Sequence, residues 1–473
     1  MLRDRFGLDE LRPGQRDVVE CLMAGRSALV VWPTGSGKSL CYQLPALMLA
    51  HSRPEPGVTL VFSPLIALME DQVAALRRRG IRAQYINSTL DKAERDRRYR
   101  KLARGDYELI YATPERMLKP EFTRALSAVP GGVNLLAVDE CHCITKWGHD
   151  LRPAYQRVGE FRKSLGNPTT IALTATATAE VRRDVIRVLG ETEETMPMFA
   201  TPIERENLVL EAEDVWDDDA KMRSIAEVCA EFRGTGIIYF ALIKDLDRFS
   251  DRLRRELPDR CIRLYHGRLD PAEKKRIYTE FIHAAPEENL LLAATNAFGM
   301  GVDKPDIRFI IHAQIPGSIE AYHQEVGRAG RDGLPSRCRL LYCQDDLAIQ
   351  QQFVEWKNPS ANILRELAHA MEHSPHADTD AEELRLEVLG KAGQSGLVEH
   401  ALITLADMGV IEPTSVSDAA TRYRFVRGFP QNEPDEAAIA EKRRRDLRRL
   451  LSMVELAHSG DIAHAVNAYF SLE

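Results

Sequence analysis

Unbroken apolar runs recur along the chain through residue 343, separated by longer stretches in which apolar positions return every three or four residues. The first series is "SALVVW" (27–32), "VTLVFS" (58–63), "ELIYAT" (108–113), "NLLAVDE" (134–140) and "TIALTAT" (170–176). Val, Ile and Leu fill these runs without polar alternation, which predicts strands buried on both faces of a parallel sheet with amphipathic helices between them. A second series follows: "TGIIYF" (235–240), "CIRLYH" (261–266), "NLLLAAT" (289–295), "FIIHA" (309–313) and "CRLLYC" (338–343). Two tandem α/β domains are therefore expected, 1–205 and 206–345, with the junction near Thr201 to Val215. After Cys343 the pattern becomes mostly helical and charged, so a third region covers 346–473. Within it, 381–428 reads as a helix, a Gly-Gln-Ser-Gly turn, a second helix and two short β runs around a polar turn. That order predicts a winged helix.

Composition narrows the class. With 44% hydrophobic and 28% charged residues over 473 positions, the chain reads as soluble and globular. No apolar run approaches the roughly 18 residues of a membrane span, and Met1 to Asp9 alternates charges instead of opening a signal peptide. The expectation is an intracellular, cytoplasmic protein, nucleoid-associated if bacterial, without a membrane partner. The eight cysteines lack the even spacing of a secreted disulfide scaffold and are expected to be reduced. A net charge of −8 argues against coating nucleic acid through bulk positive charge, but leaves room for a local basic groove.

The sharpest local signal is "WPTGSGKS" (32–39), directly after a predicted strand and ahead of an apolar helical pattern. In that context Thr34, Gly35 and Gly37 let the backbone approach a phosphate closely, Lys38 reaches the terminal phosphates and Ser39 ligates Mg2+. The first position of the strict P-loop pattern is Trp32 instead of glycine; a plain glycine turn before a helix is the competing reading. A phosphate binder of this kind needs acids at another strand end. Asp139 and Glu140 follow "LLAV": Asp139 suits the metal and Glu140 suits the polarisation of an attacking water.

The series "LRPGQ" (11–15), "PTGSGKS" (33–39), "SPLIALMEDQV" (63–73), "DECH" (139–142), "LTATAT" (173–178), "ATNAFGMGVDKPD" (294–306) and "QEVGRAGRDG" (324–333) resembles the RecQ family of superfamily 2 DNA helicases, in family order, over residues 1 to about 345. The resemblance implies two RecA-like domains that hydrolyse ATP with Mg2+ on single-stranded DNA and unwind duplex DNA 3′ to 5′, in repair or recombination. "DECHCITKWGHDLRPAY" (139–155) is similar to the family's aromatic-rich loop, and an exposed tryptophan suits sequence-tolerant stacking on a base. Trp147 is the base-stacking candidate, His149, Arg152 and Tyr155 its companions, and His142 the bridge from the acidic pair toward the second lobe.

Arg328 and Arg331, three apart, are expected on one side of a helix as arginine fingers for the γ-phosphate. Gly299, Asp303 and Gln324 would line the same cleft. Arg12 and Gln15 are the adenine-reading candidates, since an amide donates and accepts at once; Leu8 stands where some members carry an aromatic. Ser63, Thr113 and Arg116 are candidates for phosphate contacts on the DNA track. A surface ion pair for the two arginines, and ordinary strand-end roles for the last three, are the competing readings.

The tail departs from the family. No cysteine follows Cys343, so a four-cysteine zinc site cannot be assembled there and no structural zinc is expected. Residues 447–473 resemble the end of the four-cysteine zinc-binding subdomain that usually follows the motor in this family, with its cysteines replaced. Zinc binding by Cys141, His142, Cys143 and His149 is weighed and set aside, because C-x-C points its thiols poorly for a tetrahedral site. "EKRRRDLRR" (441–449) is either a phosphate-contacting strip or a solvated helix face. The functional expectation is an ATP-dependent DNA helicase, monomeric, with unknown protein partners. The alternatives are an RNA-directed relative and a DNA-stimulated ATPase that translocates or remodels without unwinding.

Overall fold

The computed structural model describes all residues except 53, 145–152, 202–203, 300–301, 375, 377, 391–394, 417–420, 430–432 and 471–473. The first lobe is built on β1 (Ala28–Val31), β2 (Val58–Phe62), β3 (Ala83–Ile86), β4 (Leu109–Ala112), β5 (Val133–Val138), β6 (Thr169–Thr174) and β7 (Met198–Ala200). They form one sheet in the order β3-β4-β2-β5-β6-β1-β7, and every pairing is parallel. Successive residues feed opposite faces: Leu29 and Val31 enter one apolar cluster, Ala28 and Val30 the other. This is the two-faced burial that unbroken Val/Leu runs require.

The second lobe repeats the plan with β8 (Leu208–Asp214), β9 (Thr235–Tyr239), β10 (Cys261–Tyr265), β11 (Leu290–Ala294), β12 (Ile307–His312) and β13 (Ser336–Tyr342), ordered β10-β11-β9-β12-β13-β8. Its pairings are also all parallel.

All ten apolar runs form strands. The strands absent from the sequence reading are β3, β7 and β8, each on a sheet edge. An edge strand has only one neighbour, so its sequence tolerates polar and half-exposed positions: β8 reads "LVLEAED" and has no fully buried residue. β8 lies inside the stretch taken as the interdomain junction and pairs along its whole length with β13. The second lobe's sheet thus includes a strand within that junction stretch, inside the expected span 206–345.

In the third region, helices Leu347–Lys357, Ala361–His373, Ala381–Leu384 and Ser395–Asp407 accompany β14 (Thr379–Asp380), β15 (Ile411–Val416) and β16 (Thr421–Phe425). These three strands form a small antiparallel sheet, β14-β16-β15. Leu364, Leu367, Leu384, Val398, Leu402, Leu405 and Ile411 give this unit its own core. Helices Glu436–Ala457 and Ile462–Phe470 behave differently: Met453, Leu456, Ile462, Val466 and Phe470 join Ile310, Tyr322, Val326 and Leu340 in one cluster. The end of the chain thus completes the core of the second lobe. Among the described residues no helix is long and apolar enough to cross a membrane.

Candidate functional site

Residues 32–39 leave the C-terminal end of β1 and run into helix Leu40–Ser52, where ligands of open parallel sheets bind. Gly35 and Gly37 adopt φ of 83° and 85°, in the left-handed region that favours glycine. Lys38 curls back over the loop and donates to the carbonyls of Trp32 (2.8 Å) and Pro33 (3.2 Å). Burial lowers the pKa of its ammonium, against the pull of Glu140 and Asp139. Arg12 and Gln15 brace the loop from behind. Arg12 Nη1 donates to Gly35 O (2.8 Å), and Gln15 donates to Gly37 O (3.1 Å) while accepting from Arg12 N (2.8 Å). The buried Gln15 amide is thus engaged at both ends by its own chain.

Asp139 and Glu140 follow β5, two strands from β1. Glu140 has φ 49°, a left-handed conformation costing a non-glycine residue about 1–2 kcal/mol. Strain of this kind gathers at functional sites. Asp139 is raised well above the usual carboxylate range, first by burial and then by the neighbouring Glu140 charge. Burial would raise Glu140 too, but the hydrogen bond and charge of His142, with Lys38 and Arg328 nearby, hold it below that range. Two adjacent buried carboxylates do not both ionise unless cations face them. The donor chemistry of Asp139 beside Glu140 fits Mg2+, which commonly takes one or two protein oxygens plus phosphates and would supply a cation facing the pair.

His142 lies on the short 3-10 turn Cys141–Ile144, not on a strand end. Its Nδ1 stands 3.0 Å from Thr174 Oγ1 and 3.3 Å from Glu140 Oε2, so its hydrogen bonds hold together two motifs of the first lobe. A narrow crevice then separates it from Glu320 of the second lobe. Tyr155 is fully buried, and its hydroxyl donates to Asp139 O at 2.9 Å. It supports the acidic pair and has no surface to offer DNA, a correction to its grouping with the loop. Trp147, His149 and Arg152 lie outside the described residues.

The second lobe meets this site through the turn after helix Ile319–Val326. That helix stops before Arg328 and Arg331, so they do not share a helix face as their spacing suggested; Gly327 ends the regular turn and redirects the chain. The stem of Arg331 lies beside Gly35, where a Cβ would sit 3.6 Å away. Its guanidinium donates to Val302 O (2.7 Å) and Asp303 Oδ1 (2.8 Å). Arg328 is buried, close to Gly299 and near enough to Glu140 to depress its pKa. Gln324 is half-buried on the preceding helix.

Of the DNA-track candidates, Ser63 and Thr113 are buried at the ends of β2 and β4. Arg116 is half-buried and in no ion pair among the described residues. Ser39, Thr34 and the glycines surround Lys38 as the loop pattern requires. Among the described residues no group of three or more His, Cys, Asp and Glu is placed to hold a metal ion. In the strip 441–449, Arg443 and Arg444 are exposed and pair with Glu355 and Glu441 as on a solvated helix face, whereas Arg445 pairs with Glu180 of the first lobe. The sequence reading also assigned no role to Arg205, which donates from the interlobe linker to Gly327 O (3.3 Å) and to Gly330 O. The linker offers no motif, only a basic residue beside acids.

Residues 12–185 match the DEAD/DEAH box helicase family and residues 220–333 the helicase conserved C-terminal domain. The chain is 37% identical over 374 residues to the probable ATP-dependent DNA helicase RecS of Bacillus subtilis (strain 168), covering 79% of this chain and 72% of that protein. It is 43% identical over 358 residues to the ATP-dependent DNA helicase RecQ of the same organism, covering 75% of this chain and 58% of that protein. Among solved structures, Mss116p bound to ssRNA and AMP-PNP superposes with a TM-score of 0.59 at 15% identity, covering 98% of this chain and 92% of that one. The DUF1998 helicase MrfA bound to DNA superposes with a TM-score of 0.58 at 20% identity, covering 90% and 59%. At those identities the two structures speak for the fold alone.

Proposed function

Because the chain belongs to the RecQ family of superfamily 2 ATP-dependent DNA helicases, we propose that it hydrolyses ATP between its two lobes, moves 3′ to 5′ along single-stranded DNA and separates duplex strands. The observation that carries this reading is the convergence of Lys38, the Asp139–Glu140 pair and the two arginines of the other lobe on one cleft. Lys38 and the backbone of 34–39 hold the phosphates. Ser39 and Asp139 would hold Mg2+, which would neutralise phosphate charge. Glu140, kept ionised by His142, accepts the proton of the attacking water. Arg328 and Arg331 stabilise the charge that develops on the transferred group, which requires the lobes to be together.

Arg12 and Gln15 select adenine, the amide donating and accepting at the base edge, and both brace the loop that carries Lys38. Arg116 is the phosphate contact of the DNA track, and Trp147 the base-stacking residue. Residues 381–428 form a winged helix, the monomer is the working unit, and DNA repair or recombination is the setting. The test is ATP-dependent strand separation on 3′-tailed, 5′-tailed and blunt duplexes, alongside ATP turnover with single-stranded DNA and RNA, with Lys38→Ala as blank. Unwinding of the 3′-tailed duplex alone is expected. DNA-stimulated turnover without strand separation would make the protein a translocase or remodeller, and equal stimulation by RNA would remove the DNA assignment.

A further inference from the structure

The two C-terminal helices touch the motor at points that no helicase motif covers. Helix Ile462–Phe470 lies against Ile319–Val326, the helix that leads directly into Arg328 and Arg331. Tyr469 donates its hydroxyl to Glu320 Oε1 at 2.9 Å, and the Phe470 ring packs 5.3 Å from His323. Asn467 donates to Glu204 in the interlobe linker at 3.3 Å. Glu320 and His323 lie three apart, so the terminal helix grips one face of the shorter helix by two neighbouring positions.

The long helix Glu436–Ala457 adds a second grip. Arg449 Nε is 3.9 Å from the same Glu320 carboxylate, so Glu320 receives one group from each C-terminal helix. One turn earlier, Arg445 Nη1 lies 3.2 Å from Glu180 Oε1 of the first lobe. Glu180 sits in the first turn of helix Ala179–Leu189, capped by Thr178 at the end of "LTATAT". The same motif supplies Thr174 to His142. The crevice where the lobes approach is lined by His142, Thr176, Thr178, Glu320 and Arg449. One rigid helix, anchored in the second lobe's core by Met453 and Leu456, therefore reaches the acidic-pair side of one lobe and the arginine side of the other.

We propose that this helical pair is a positioning strap for the ATPase cleft: Tyr469 and Arg449 set the orientation of the helix that aims Arg328 and Arg331, and Arg445 ties that assembly to the first lobe. The inference rests on the reading of those arginines as transition-state groups. Arg445 and Glu180 are 25% and 49% exposed, and a pair so solvated contributes little as static stability. Its effect lies in the geometry it selects. Arg445 and Glu180 belong to different lobes, so the pair exists only in arrangements that hold the lobes at this separation, and its loss shifts the population away from them.

The test uses the full chain and compares Arg445→Glu, Glu180→Arg, the double reversal and Tyr469→Phe by kcat and KM for ATP at saturating single-stranded DNA, with Tm beside them. Each single reversal is expected to lower kcat about fivefold while KM stays within about twofold, since one exposed ion pair is lost and a like-charge contact is put in its place. The double reversal should recover kcat to within about twofold of the parent, and Tyr469→Phe should lower kcat about threefold. Tm is expected to move by no more than about 2 °C in the charge reversals and by about 2–4 °C in Tyr469→Phe, which loses one hydrogen bond. Unchanged kcat in the single reversals, a double reversal no better than either single, or a kcat loss that simply follows a loss of Tm would overturn the strap. A parent chain without DNA-stimulated turnover would overturn the ATPase reading and the strap together, whereas a turning-over parent with indifferent variants would overturn the strap alone.

Discussion

The hydroxyl of Tyr155 donates a 2.9 Å hydrogen bond to the backbone carbonyl of Asp139, joining the far end of the aromatic-rich segment to the acidic pair. Tyr155 follows residues 145–152 in sequence, so its hydroxyl ties the chain just beyond them to the backbone of the acidic pair. Tyr155→Phe removes this bond at a cost of about 1 kcal/mol. A Tm drop of about 2–4 °C is expected in a lobe of this size. ATP turnover with DNA should fall more than turnover without it, and a stopped ratio of the two rates measures that directly.

Gly37 combines two constraints that can be separated. Its φ of 85° disfavours any side chain, and a Cβ would stand 2.6 Å from Gln15 Nε2. Gly37→Ala should cost about 1–2 kcal/mol of backbone strain and also push Gln15 off the loop, weakening nucleotide binding. Gly25→Ala is the comparison: φ is 77° and nothing lies within 4 Å, so stability should fall with nucleotide affinity unchanged. Titration with a fluorescent ATP analogue checks both.

His142, with Lys38 and Arg328 nearby, holds the Glu140 carboxyl below the usual carboxylate range against its burial. Glu140→Gln should bind ATP with near-parent affinity and turn it over about 10²- to 10⁴-fold more slowly, the usual size of a lost general base. Lys38→Ala should lose binding and turnover together. Equilibrium binding and steady-state rates measured on the same preparations separate the two patterns.

His323 is buried beneath the terminal helix, and its pKa is lowered to about 4, first by burial and then by Arg205 and Lys38. The unfolded chain therefore binds a proton at this residue between about 6.5 and 4 that the folded chain does not. Stability rises with pH across that window and is lost as pH falls through it, by about 3 kcal/mol in total at about 1.4 kcal/mol per pKa unit. His323→Gln should flatten the slope of urea-unfolding free energy between pH 6.5 and pH 4 relative to the parent.

The sequence carried the central strands because burial on both faces leaves no choice but Val, Ile, Leu and Ala, as in Leu290–Ala294. It carried Lys38, Asp139 and Glu140 because their chemistry is tied to short loops at strand ends. β8 escaped because an edge strand is read from its partner, here β13, and not from itself. The fixed spacing of Arg328 and Arg331 suggested a helix, yet Gly327 ended it first. Arg445 looked like part of a basic surface because nothing local announces Glu180, which lies in another lobe. Tyr155 was grouped with the loop on residue type, whereas its hydroxyl serves the backbone of Asp139.

Helices Glu436–Ala457 and Ile462–Phe470 complete the apolar centre of the second lobe, and this fixes an order of events at the ribosome. The first lobe's clusters draw on residues between Leu2 and Ala200, so they can close while the remainder is still being made. The second lobe has all its strands once Tyr342 has emerged, but it must wait with an open apolar face until Phe470 arrives. During that interval the apolar face that those helices cover is open on residues 208–342, the kind of transiently exposed surface that makes a partly made chain prone to aggregation.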